Sequence, residues 1–245
     1  MQANVHFAVG DLEEGMDVTR FQLTLAEETG EPSRIAHAVY MRSISLSSTG
    51  ELDEARELAI RALSIGEQTR SLTDLASGWA ALGFAAHDDP AVALDAFARA
   101  DEISSEGGNR WMSAFARTES SGLQLLMGDV DRATSGLAEA VDTWYHAGEW
   151  SQQWLTLARC VVALSMLGEN ELAAQVIGAV ERWAAMGTPP VMAPLGVRTR
   201  AAAEELTERL GVDRYRQLHA QGGGMPVIDV VHRTRAVLLG QESRD

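Results

Sequence analysis

The chain has 245 residues, 46% of them hydrophobic, which is ordinary for a globular protein and enough to bury a sizeable core. Its formal net charge of −15 and pI near 4.8 oppose binding to nucleic acid or to anionic membrane surfaces. No window approaches 18 uncharged apolar residues, the start Met1–Gly15 lacks the basic-then-apolar layout of a signal peptide, and a single cysteine excludes an internal disulfide framework, so the chain reads as cytoplasmic.

Ala, Leu, Glu and Arg recur at helical spacings, while Val, Ile, Tyr and Phe form no alternating runs. In chain order the pattern predicts helices over roughly 11–28, 33–48, 51–69, 71–86, 90–105, 110–127, 129–147, 150–167 and 170–186. A break at Gly187-Thr188-Pro189-Pro190 follows, then a helix over about 195–210 and a last one near 226–239. Gly222-Gly223-Gly224 reads as a flexible helix end and linker, not a phosphate loop.

These helices repeat as pairs. A turn motif, Gly-x-apolar-x-x-small, occurs at Gly10–Gly15, Gly50–Ala55, Gly128–Ala133 and Gly168–Ala173, with Asp88–Ala93 as a variant carrying Pro90. The closing small residues Gly15, Ala55, Ala93, Ala133 and Ala173 are about 40 residues apart. Glycine ends one helix in the left-handed conformation, and the acidic residue after it suits the positive N-terminus of the next. Four residues beyond each small residue come Ala59, Phe97, Leu137 and Ile177, and seven beyond come Ala62, Ala100, Ala140 and Val180. Positions i, i+4 and i+7 share a face, so this is the expected buried stripe of each second helix. Twelve residues before the small residue come Ser43, Ala81, Ser121 and Val161, mostly small, which predicts antiparallel hairpins with tight crossings.

The glycine, the apolar residue after it, the alanine and the apolar positions four and seven later resemble the tetratricopeptide repeat over about residues 10–187, although that repeat is usually about 34 residues long. The early tryptophan and closing proline of that repeat are missing. Longer repeats of this kind look like the helical-repeat regions of bacterial LuxR-type regulators and signal-transducing ATPases. The tail Arg209–Gly222 is similar to the ending of the same group. The resemblance implies an all-α fold, an α-α superhelix of about five hairpins over 1–188, the first truncated, closed by C-terminal capping helices over 189–245 in the same domain. The truncated first hairpin suggests the C-terminal piece of a longer protein or a degenerate relative, with an apolar face at Val5, Phe7 and Val9. The function implied is a non-catalytic protein-interaction module of a signalling or transcription regulator. Its partner is a protein or peptide, a second copy of the chain, or neighbouring domains of a longer one. The alternative is an effector-sensing domain that holds a small molecule in an apolar groove.

No site for catalysis, cofactor or metal emerges from the residue pattern. The six histidines lack ligand spacing, Cys160 reads as a small core residue, Asp88-Asp89 reads as a helix cap, and there is no lysine to complete a phosphate-binding loop. If tetratricopeptide geometry transfers, the first helices line a concave groove at His37, Tyr40, Ile44, Leu75, Leu82, Phe115, Leu125, Leu126, Leu155, Val162 and Met166. An apolar groove of that kind holds a partner's helix or the chain's own C-terminal helices; otherwise these residues are core. Trp144, Tyr145, Trp150 and Trp154 form an aromatic cluster beside His146, read either as packing between repeats or as a recognition patch.

Overall fold

The computed structural model describes residues 12–185 and 193–241, all of it helix, turn and short connections. The apolar face expected at Val5, Phe7 and Val9, and the break at 187–190, lie outside the described residues. Twelve helices are present among them: α1 (Leu12–Thr29), α2 (Pro32–Thr49), α3 (Leu52–Thr69), α4 (Leu72–Ala85), α5 (Pro90–Glu106), α6 (Arg110–Leu126), α7 (Val130–Ala147), α8 (Trp150–Met166), α9 (Asn170–Ala185), α10 (Ala193–Leu210), α11 (Val212–Gly224) and α12 (Val227–Leu238). The fold class is therefore all-α, and the nine helices expected up to residue 186 are found within a few residues of their expected bounds.

The turns form as their residues dictate. Gly50, Gly128 and Gly168 adopt φ of 88°, 78° and 84°, where a Cβ would be strained. In all three, the acidic residue that follows donates its backbone N–H five residues back: Glu51 to Leu46, Asp129 to Gln124 and Glu169 to Leu164, each at 2.9 Å. That bond satisfies a carbonyl that the helix end leaves open. The variant turn uses different chemistry. The Asp89 carboxylate accepts from the N–H groups of Ala91 and Val92 at 3.2 Å each, and Pro90 opens α5. Asp88 instead pairs with Arg56 of α3 at 3.1 Å.

The chain divides into two compact units, Met1–Ser120 and Ser121–Asp245, with the boundary inside α6. In the first unit α1 packs on α2, α2 on α3, α3 on α4 and α4 on α5, and the alternate helices α2 and α4 also touch. Its interior is rich in alanine: Ala36, Ala55, Ala59, Ala62, Ala76, Ala80, Ala81, Ala93 and Ala100 are all fully buried. Small side chains bring helix axes close, and the Ser43 hydroxyl donates to the Ala55 carbonyl at 2.7 Å across the hairpin. The serine twelve residues before the turn alanine thus meets that alanine's own backbone. Phe84 and Phe97 fill the wider end, edge to face with centroids 5.2 Å apart.

The second unit has larger core residues. Leu137, Val141, Leu157, Val161, Leu164 and Ile177 are fully buried, each worth about 1.5–3 kcal/mol on transfer from water. The C-terminal helices close this core. Helix α10 packs on α8 and α9, α12 packs on α7, α8 and α9, and together they contribute Ala202, Leu206, Val230, Val231 and Leu238. Exposed ion pairs border it: Arg214 to Glu171 at 2.7 Å and Arg235 to Asp142 at 3.3 Å.

One element departs from expectation. Gly222, Gly223 and Gly224 are not a linker; all three lie in α11, and Gly222 is buried. A Cβ on Gly222 would lie 2.6 Å from the Gln175 Cα of α9, and one on Gly178 of α9 would lie 2.8 Å from the His219 carbonyl carbon of α11. The two helices cross backbone to backbone, which only glycine at both positions permits. Arg182 of α9 donates to the Gly223 carbonyl, and His219 pairs with Glu181 at 2.8 Å, beside that crossing.

Candidate interaction surface

The eleven groove residues divide by unit. In the first unit Tyr40 is buried, Ile44, Leu75, Leu82 and Phe115 are half-buried, and His37 is exposed. Burial, with the Glu119 carboxylate adding to it, pushes the Tyr40 phenol well above the ordinary tyrosine range. Tyr40 is therefore an un-ionised core phenol, with His37 6.1 Å from its ring. Phe115 stacks on the exposed Trp111 at 5.2 Å and also contacts Phe84 at 5.8 Å, so its ring continues the core toward the surface. In the second unit Leu155 and Val162 pack against the core that α10 and α12 complete. There, helix α8 is covered by the chain's own C-terminal helices. Leu125 is buried, whereas Leu126 and Met166 are exposed at helix ends.

The aromatic cluster separates in the same way. Trp144 and Trp154 are buried, and Trp154 stacks on Trp183 at 4.9 Å, so both belong to the core and offer no recognition patch. Trp150 is 41% exposed and meets the half-buried Tyr145 edge to face at 6.2 Å. His232 of α12 approaches Tyr145 at 6.1 Å, so the exposed remnant joins α7, α8 and α12.

Sequence reasoning missed the way charge follows the alternation of helices. The first helices of the pairs (α2, α4, α6 and α8) carry five arginines against only Asp74 and Glu119. The second helices (α1, α3, α5, α7 and α9) carry eighteen carboxylates against six arginines. The chain's negative charge thus sits on every other helix. The signal was available in the sequence once helix bounds were assigned.

Among the described residues no group of three or more His, Cys, Asp or Glu side chains is placed to hold a metal ion, and no helix is long and apolar enough to cross a membrane. Cys160 is fully buried, and burial pushes its thiol far above the ordinary range, so it is a core side chain and not a nucleophile. An open depression lies between α1 and the α2–α3 turn, lined by Glu13, Met16, Asp17, Arg20, Thr49 and Glu51, away from the groove residues. No protein-family model matches the chain, and no curated protein matches it either.

Proposed function

We propose that this chain is a non-catalytic protein-interaction module: an α-α superhelix of tetratricopeptide-like repeats, capped by its C-terminal helices, serving a bacterial signalling or transcription regulator. The observation that carries this reading is the five-fold turn with its fixed register. The small turn residues are buried in every copy, as are Ala59, Phe97, Leu137 and Ile177 four residues on. Burial at the same positions of successive second helices supports a repeat array, an architecture suited to presenting surface to a partner. In the first unit the first helices α2 and α4 touch and leave Ile44, Leu75 and Leu82 half-buried, a surface with little charge in a strongly acidic chain.

The test is capture from cells of the source organism with the wild-type chain and with an Ile44→Ser/Leu75→Ser variant, compared by quantitative mass spectrometry. The reading expects a defined protein partner on the wild type and its loss from a variant that keeps its helical circular dichroism. Equal capture by both would refute the groove. A small molecule carried through purification and seen by native mass spectrometry would favour effector sensing instead.

A further inference from the structure

The aromatic remnant on the surface of the second unit forms an open corner. Tyr145 of α7 is half-buried and packed against the core, and three rings surround its phenol. Trp150 of α8 lies 6.2 Å away at an interplanar angle of 81°, His232 of α12 lies 6.1 Å away at 65°, and His146 lies 5.6 Å away at 87°. Planes so steeply inclined make walls, whereas Trp154 and Trp183 stack at 25° inside the core. Trp150 and both histidines are exposed, so the corner faces solvent. Tyr145, Trp150 and His232 come from three different helices packed on one another, so the fold itself holds the corner.

Aromatic faces carry negative potential, so walls of this kind attract a cation. No side chain of the protein takes that place: among the described residues the one cation over a ring is Arg99 on Trp79, in the first unit. The arginines nearest in sequence turn elsewhere. Arg235 pairs with Asp142 at 3.3 Å, and Arg233 approaches the Met225 sulfur at 3.9 Å. Asp142 is shared, since it also lies 3.7 Å from His146. Glu149, the residue before Trp150, is exposed, and its side chain makes no hydrogen bond or ion pair among the described residues. It is the carboxylate left to balance a bound charge. An ammonium with free N–H groups needs several acceptors to replace its water, and ring walls offer none. A methylated ammonium has no such need, because its charge is spread over apolar methyl groups. We infer that Tyr145, Trp150 and His232 form a site for a quaternary ammonium group, with Glu149 as its counter-charge. Such a group is borne by a free choline-like molecule or by a trimethylated lysine of a partner, and the trimethylammonium head is common to both. The site is separate from the groove at Ile44 and Leu75 and does not depend on it.

The probes are choline, its neutral tert-butyl isostere and a short peptide carrying trimethyl-lysine, each titrated by ligand-observed NMR. The wild type should bind the cations saturably and the isostere about ten-fold more weakly, because the isostere keeps the shape and loses the charge. Trp150→Ala should weaken choline binding about ten-fold, and Glu149→Gln about three-fold. Trp111→Ala removes an exposed tryptophan of the first unit and should bind as the wild type does, which excludes general attraction to surface tryptophan in an acidic protein. Tighter binding of choline than of the peptide assigns the site to a free molecule, and the reverse order assigns it to a modified side chain; either order upholds the site. The proposal is overturned if neither cation binds saturably, if the isostere binds as tightly as choline, or if Trp111→Ala loses as much as Trp150→Ala. All variants are checked for unchanged helical circular dichroism. Should Trp150→Ala fail that check, the exposed change Glu149→Gln carries the test, and full affinity in it overturns the proposal.

Discussion

Gly222→Ala is the most demanding test of the C-terminal packing. Its methyl would lie 2.6 Å from the Gln175 Cα, a backbone atom that no side-chain rotation can move aside. Helices α9 and α11 must part by about 1 Å before that contact becomes ordinary, and the parting loosens dispersion contacts all along the crossing. Overpacking of this kind costs about 3 kcal/mol. Replacing a helical glycine returns about 1 kcal/mol through backbone entropy. The expected result is a net loss of about 2 kcal/mol, or about 4–8 °C in Tm for a chain of this size. Thermal and urea melts followed by circular dichroism report the global change. Tryptophan fluorescence reports it locally, because Trp183 of α9 stacks on Trp154. Gly224→Ala is the internal control: it is in the same helix, but a Cβ there meets nothing within 4 Å, so its stability should equal or slightly exceed that of the wild type. If Gly222→Ala is as stable as Gly224→Ala, the glycine run is the flexible linker that its composition suggests, and the close crossing is wrong.

Other outcomes follow from burial. Trp154→Ala should cost about 3–5 kcal/mol, because that ring is core. Trp150→Ala at a 41% exposed site should cost about 1 kcal/mol or less, so the two melts separate core from surface in the aromatic cluster. Cys160 should react with a thiol reagent only on unfolding, so that its labelling rate in the native state tracks urea concentration; rapid native labelling would contradict its burial. Arg42, buried on α2, donates to the Met16 carbonyl at 3.0 Å and lies 3.4 Å from the Thr19 hydroxyl of α1. Arg42→Met should therefore cost about 2 kcal/mol. Hydrogen exchange should show the lost protection concentrated in α1.

The hairpins were legible because one constraint sets many residues at once. A left-handed glycine ends a helix at a fixed point, and 3.6-residue periodicity then dictates which later positions face inward, so Ala133, Leu137 and Ala140 follow from Gly128. Helix α11 was not legible for the opposite reason. Its decisive contacts join Gly222 to Gln175 and Gly178 to His219, pairs more than forty residues apart that share no local signature. Three consecutive glycines look the same in sequence whether they free the backbone or let another backbone approach it. Burial of Trp144 and Trp154 was hidden similarly. Aromatic residues near a loop suit either surface or core, and the choice depends on helices such as α9 and α12 arriving later in the chain.

Charge alternation has a packing cause. In the first unit α2 packs on α1, α3 and α4, and in the second α8 packs on α7, α9, α10 and α12. A helix with neighbours on three or four sides has little solvated face, and each charge placed on it must be desolvated or paired. Arg42 and Arg159 show the form that survives there: Arg42 is spent on backbone and hydroxyl acceptors, and Arg159 is laid against Gly122. The second helices α1, α3, α5 and α7 carry sixteen of the eighteen carboxylates, whereas α9, which packs on α8, α10, α11 and α12, carries only two. Exposed apolar residues on the first helices are informative for the same reason. At Leu126 and Met166 a first helix emerges from its neighbours, yet the sequence places neither charge nor serine there, as it does at Ser48. Solubility alone would favour the polar choice at these tips.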